Sequence, residues 1–123
     1  MNEFQTIYEA LGEEKIRLLT KYFYEGVAKD EALRPLYPED LKPAEERLFL
    51  FLLQVFGGPA AYSEKRGHPR LRKRHLDWAI DGKMRKHWLN NMFTALDKIN
   101  VEQNTKELMM GYFVKVANHM INR

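Results

Sequence analysis

Apolar residues recur along this chain at intervals of three and four, and no segment sustains the alternation of a half-buried strand, so the pattern predicts an all-α fold. From Glu13 to Lys29, Ile16, Leu19, Phe23 and Val27 line one face of a helix. Gly26 falls on the same side as Phe23, at a cost of about 1 kcal/mol against alanine, which implies that another helix approaches closely there. Before it, Asn2 to Leu11 offers one or two turns with Phe4, Ile7 and Tyr8 on one side, closed by Gly12.

The segment Asp30 to Pro43 holds Pro35, Pro38 and Pro43 and reads as a short turn and a loop, with Leu33, Leu36 and Tyr37 pointing inward. Ala44 to Phe56 is the next helix, with Glu45 and Glu46 in its first turn where the helix dipole favours acid. Its run Leu48-Phe-Leu-Phe-Leu-Leu53 is apolar all round, which requires burial on more than one side. Gly57-Gly58-Pro59 stops it. Ala60 to Arg74 is expected to be mostly loop, with a short helix after Pro69. Asp81 then caps a helix reaching about Asn100, striped by Met84, Trp88, Met92, Ala95/Leu96 and Ile99. A last helix starts near Asn104, with Glu107 completing a capping box. Its stripe is Leu108/Met109, Tyr112/Phe113, Val116/Ala117 and Met120/Ile121.

Four or five helices around one core admit an up-down bundle or a globin-like crossing arrangement. The long irregular links at Asp30–Pro43 and Gly57–Arg74 favour the globin-like layout, because bundles join their helices by short turns. A length of 123 residues suits one domain with room for a cofactor. The composition, 45% apolar and 30% charged, is that of a globular protein, and without a signal pattern or a membrane-length apolar run the expectation is cytoplasmic. Zero cysteines exclude disulfides and thiolate metal sites. The net charge of +3 is mild, so basic residues matter only where they cluster.

They cluster at Arg66, Arg70, Arg72, Lys73 and Arg74, beside His68 and His75. None of the four histidines, His68, His75, His87 and His119, has a partner at zinc-binding spacing. No GxSxG, Walker loop or GxGxxG is present, so hydrolase and nucleotide-binding functions lack support. The basic cluster suits either a nucleic-acid patch or a small dianionic ligand. Pro69 argues against a long recognition helix.

Six ordered motifs then bring a family into view. Arg66-Gly-His-Pro-Arg-Leu-Arg-Lys-Arg-His75, preceded by Gly57-Gly-Pro-Ala-Ala-Tyr-Ser63 and followed by Trp88-Leu89, resembles the group II truncated haemoglobins. So do Phe23-Tyr24, Leu36-Tyr-Pro-Glu-Asp40 and Ala44-Glu-Glu-Arg-Leu48, and the likeness spans the chain from about Phe4 to its last helix. The resemblance implies a single truncated-globin domain, a two-over-two helical sandwich holding one haem b, with His75 rather than His68 on the iron. It places His68, Arg70 and Arg72 on the segment bordering the propionates, which need charged partners. Leu48, Phe51, Leu52, Trp78, Met84 and Met92 become pocket walls, although helix packing alone would explain any one of them.

On the ligand side the resemblance carries over to Tyr24, Tyr37 and Trp88, with Ala44 and Leu48 nearest the ligand. Ala44 cannot hydrogen-bond, so donors come from the phenols and the indole. Reversible binding of O2, CO and NO follows, with high affinity, slow release, and possible reaction with nitric oxide, peroxide or sulfide supported by a reductase. The expected partners include no nucleic acid and no membrane, and the protein is a monomer or homodimer. Two other readings stand beside this one. A basic helical module for an acidic partner would be colourless and steeply salt-dependent, and a haem sensor or electron-transfer protein would require a partner that no exposed motif names.

Overall fold

The computed structural model describes residues 6–58 and 81–120, with the side chain of Met120 set aside. Phe4, Ile121, the expected loop beyond Pro59 and the short helix after Pro69 lie outside the described residues. Among the described residues there are five α-helices and no strand: α1 (Ile7–Leu11), α2 (Glu13–Lys29), α3 (Lys42–Val55), α4 (Gly82–Lys98) and α5 (Gln103–Met120), with a 3-10 turn at Arg34–Leu36.

Helix α2 is the hub. It packs against both α3 and α4, while α4 packs against α5 and α1 touches α2 and α5. Helices α3 and α4 make no comparable interface with one another. The periodicity explains the arrangement, since Ile16, Leu19, Phe23 and Val27 are all fully buried along α2. Gly26 is where α2 and α4 meet: a β-carbon there would collide with the side chain of Asn91.

Helix α3 begins at Lys42, two residues before the expected Ala44, because Pro43 sits in its first turn, where a missing N–H costs nothing. Its apolar run is buried all round, from Phe49 through Leu53, as an element covered on several sides must be. Gly57 closes it in the left-handed region (φ 97°), and Gly58 N–H donates to the Leu53 carbonyl at 2.7 Å. The methyl and hydroxyl of Thr6 crowd Gly57, and Tyr8 N–H donates to the Phe56 carbonyl at 2.7 Å, so the N-terminal turn lies against the end of α3.

Asp81 caps α4 as expected, its carboxylate accepting from Met84 N–H at 2.9 Å. The last helix differs from expectation at its start. It begins at Gln103, so Asn104 lies inside it and forms no capping box; Gln103 Nε2 instead donates to Glu107 Oε1 at 3.1 Å. Its buried face runs through Thr105, Met109, Phe113 and Ala117 at four-residue spacing, and Leu108, roughly 100° round the helix from Met109, is 53% exposed rather than inward. No described helix is long and apolar enough to cross a membrane.

Candidate functional site

Three elements that are distant in sequence place their aromatic residues together. Phe23 and Tyr24 sit side by side on α2, Tyr37 follows the 3-10 turn, and Trp88 rises from the second turn of α4. Tyr24 and Tyr37 meet edge to face, with centroids 5.7 Å apart and planes at 88°. Trp88 meets Phe23 at 5.6 Å and Phe113 of α5 at 5.9 Å, both edge to face. A continuous row of rings therefore runs Tyr37, Tyr24, Phe23, Trp88, Phe113, each such contact contributing about 0.5–1.5 kcal/mol beyond burial.

The two phenols are joined by more than ring packing. Burial pushes the Tyr24 hydroxyl well above the usual phenol range, and its hydrogen bond to Tyr37 raises it further. Burial also pushes Tyr37 up to about 12, while the same hydrogen bond lowers it. The two hydroxyls are thus hydrogen-bonded to one another, and both phenols stay protonated at neutral pH. Glu45 and Arg47 act electrostatically on Tyr24, which sets the start of α3, with buried Ala44, beside it.

Tyr37 is held from behind by Arg34. The guanidinium donates to the carbonyls of Pro38 (2.9 Å), Glu39 (2.6 Å) and Tyr37 itself (3.4 Å), wrapping the loop after the 3-10 turn around one planar group. Trp88 is half-buried, and among the described residues nothing accepts from its indole N–H.

Expected wall residues divide into two kinds. Phe51, Leu52 and Met92 are buried, Met92 completely. Leu48 on α3, with Met84 and Trp88 on α4, are apolar yet only partly covered. They lie on the two helices that both pack on α2 without forming an interface of their own. His68, Arg70, Arg72, His75 and Trp78 lie outside the described residues. Of the described histidines, His119 is exposed near the end of α5, and His87 is tied to Asp30 at 3.1 Å.

That last contact belongs to a cluster that the sequence pattern did not disclose. Asp30 ends α2, and its Oδ1 accepts from the N–H groups of Ala32 (2.9 Å) and Leu33 (3.1 Å). Its Oδ2 accepts from Asn91 Nδ2 at 2.9 Å and faces His87 Nδ1. Burial disfavours the carboxylate, but these hydrogen bonds outweigh it and hold the Asp30 carboxyl below its ordinary value. An aspartate directly after a predicted helix, followed by two ordinary residues and a turn, was the available sign; its partners on α4 had none.

Apolar side chains left partly covered, with two phenols and an indole among them, suit a largely apolar bound group that also needs a few hydrogen-bond donors. Comparison with known proteins agrees. Residues 6–122 match the bacterial-like globin family. Group 2 truncated hemoglobin YjbI of Bacillus subtilis (strain 168) is 39% identical over 120 residues, covering 98% of this chain and 91% of that protein.

The chain belongs to the group II truncated haemoglobins.

Solved structures of this family superpose closely. A thermostable haemoglobin from the actinobacterium Thermobifida fusca is 49% identical with a TM-score of 0.93, over 96% of this chain and 98% of that one. Truncated oxygen-avid haemoglobin from Bacillus subtilis is 39% identical with a TM-score of 0.92, over 96% and 100% of the two chains. The truncated-globin fold inferred from the motifs is therefore the observed one. Truncated haemoglobins of this family carry haem b, one per chain, and bind ligands at it in the manner of globins. The described residues fit that group: Leu48, Met84 and Trp88 offer apolar surface still to be covered, and the phenol pair is the polar end.

Proposed function

We propose that this truncated haemoglobin binds O2 and other diatomic ligands tightly and releases them slowly, with Tyr37 and Trp88 as hydrogen-bond donors and Tyr24 as the group that orients and strengthens Tyr37. The observation that carries this reading is the buried Tyr24–Tyr37 hydrogen bond, linked through Phe23 to Trp88. Haem b supplies an iron centre that takes O2, CO and NO and can change oxidation state. His75 would hold it, with Leu48, Phe51, Leu52, Trp78, Met84 and Met92 as walls and His68, Arg70 and Arg72 toward the propionates. His75 is assigned by family resemblance.

A phenol that accepts through its oxygen becomes a better donor through its own proton, because hydrogen bonds in series polarise one another. In this reading Tyr24 donates to Tyr37, and Tyr37 passes that polarisation on to the ligand. Trp88 adds a donor that cannot accept, so it favours a ligand with a lone pair toward α4. Ala44 contributes neither a donor nor bulk. At about 1 kcal/mol net for each hydrogen bond, two donors slow release roughly tenfold to a hundredfold. The Bacillus subtilis relative described as oxygen-avid supports the same direction. Small Ala44 also admits nitric oxide or peroxide, so NO detoxification or peroxidase-like turnover with a cytoplasmic reductase is the redox side of the same site.

The test is the O2 dissociation rate of the ferrous protein. Trp88→Phe and Tyr37→Phe should each speed release by about fivefold to tenfold. Rates unchanged in both variants would remove these residues from ligand retention.

A further inference from the structure

The three donor elements are fastened to one another at a single carboxylate, which lies outside the ligand site. Asp30 terminates α2, the helix of Tyr24, six positions beyond it. Through Oδ1 it accepts from Ala32 and Leu33, and through its carbonyl from Arg34 N–H at 2.9 Å, so it shapes the corner that delivers Tyr37. Through Oδ2 it holds Asn91 and faces His87, which flank Trp88 on α4. Asn91 Nδ2 also donates to the His87 carbonyl at 2.9 Å, and the side chain of Asn91 occupies the space left by Gly26. The lock therefore sets both the depth and the register of α4 on α2, which are the coordinates that place Trp88.

We infer that Asp30 is a positioning residue for the ligand-side donors, acting through His87 and Asn91 on Trp88 and through the Ala32–Leu33 corner on Tyr37. A largely covered carboxylate, its side chain only 13% exposed, with three N–H donors and the His87 ring nitrogen around it, is a rigid joint. A displacement of a hydrogen-bond donor by a fraction of an ångström is enough to weaken a ligand contact whose geometry is narrow. The two oxygens have separate duties. Asp30→Asn can keep the Oδ1 acceptor for the corner while replacing Oδ2 by an amide nitrogen that no longer accepts from Asn91, and Asp30→Ala removes both.

This inference rests on Trp88 and Tyr37 being ligand donors, so the experiment includes Trp88→Phe. O2 release and the stretching frequency of carbon monoxide are measured on the ferrous wild type, D30N, D30A, N91A, Y37F, W88F and W88F combined with D30A or N91A, with the thermal midpoint of each. Expected are release accelerated about threefold in N91A and D30N and more in D30A, a shifted CO stretch, and a smaller effect of N91A once Trp88 is gone. Folded D30A and N91A proteins with wild-type release and wild-type CO stretch, in a series where W88F alone accelerates release, would overturn the positioning role and leave the donors in place. An unchanged W88F and Y37F would instead overturn the donor reading, and this inference with it. Should D30A fail to fold, N91A carries the same comparison from the α4 side.

Discussion

The side chain of Asn91 occupies the place where a β-carbon on Gly26 would stand, and its Cγ lies 3.1 Å from that point. Alanine at position 26 should gain about 1 kcal/mol in helix propensity. It would, however, dislodge a side chain whose amide nitrogen donates both to the Asp30 carboxylate and to the His87 carbonyl. Losing a hydrogen bond to a charged group costs about 1.5–3 kcal/mol, so Gly26→Ala should be net destabilising by about 1 kcal/mol, lowering the thermal midpoint by a few degrees. In the Asn91→Ala background the same change should be neutral or stabilising, and thermal unfolding of the four proteins of this cycle checks it.

Asp30 makes the acid limb of stability predictable in sign. Its folded carboxyl titrates below the unfolded value, which lies near 3.9. The stabilisation is therefore fully present above about pH 4 and is lost as pH falls through the folded value. Asp30→Ala should cost about 2–3 kcal/mol at neutral pH, and the gap to wild type should narrow as the solution is acidified. Urea unfolding at neutral pH and near pH 3 measures both; a gap independent of pH would contradict the ionised lock.

The phenol pair sets the opposite limb. Folded Tyr24 and Tyr37 titrate above the unfolded value near 10. Their contribution is present below that value and is lost as pH rises toward about 12, where Tyr37 ionises. Phenolate absorbance followed through an alkaline titration should show late steps that Tyr24→Phe and Tyr37→Phe remove. In ligand release, Tyr24→Phe should have a smaller effect than Tyr37→Phe and should add little to it, because in the proposed arrangement Tyr24 acts through Tyr37.

His75→Ala should abolish or severely weaken haem retention, read from the visible spectrum of the purified protein, since one axial ligand holds the iron from the protein side. His68→Ala should keep the spectrum while loosening the cofactor only modestly. Equal spectra for wild type and His75→Ala would sink the axial assignment.

What could be read from the sequence follows from what is periodic. The faces of α2 and α4 and the all-round burial of α3 rest on spacing over many residues, and Asp81 announced its helix by chemistry that operates within three residues. Gly26 signalled a close approach, but not by whom, because Asn91 lies 65 positions on. Pairings across elements had no such signature. The Tyr24–Tyr37 hydrogen bond, the Phe23 bridge to Trp88 and the Asp30 joint depend on where helices cross, which local pattern does not encode. Helix starts were the least legible feature: proline in the first turn let α3 begin early, and α5 begins at Gln103, one residue before the expected Asn104.

The row of rings from Tyr37 to Phe113 has an optical consequence. Light absorbed by Tyr24 has an indole acceptor across Phe23, and light absorbed by Tyr37 reaches it one ring further on, so emission from those phenols should surface at Trp88. A strongly absorbing cofactor beside Trp88 would drain that emission in turn. The chain thus carries its own loading gauge, bright when empty and dark when filled, without any added label.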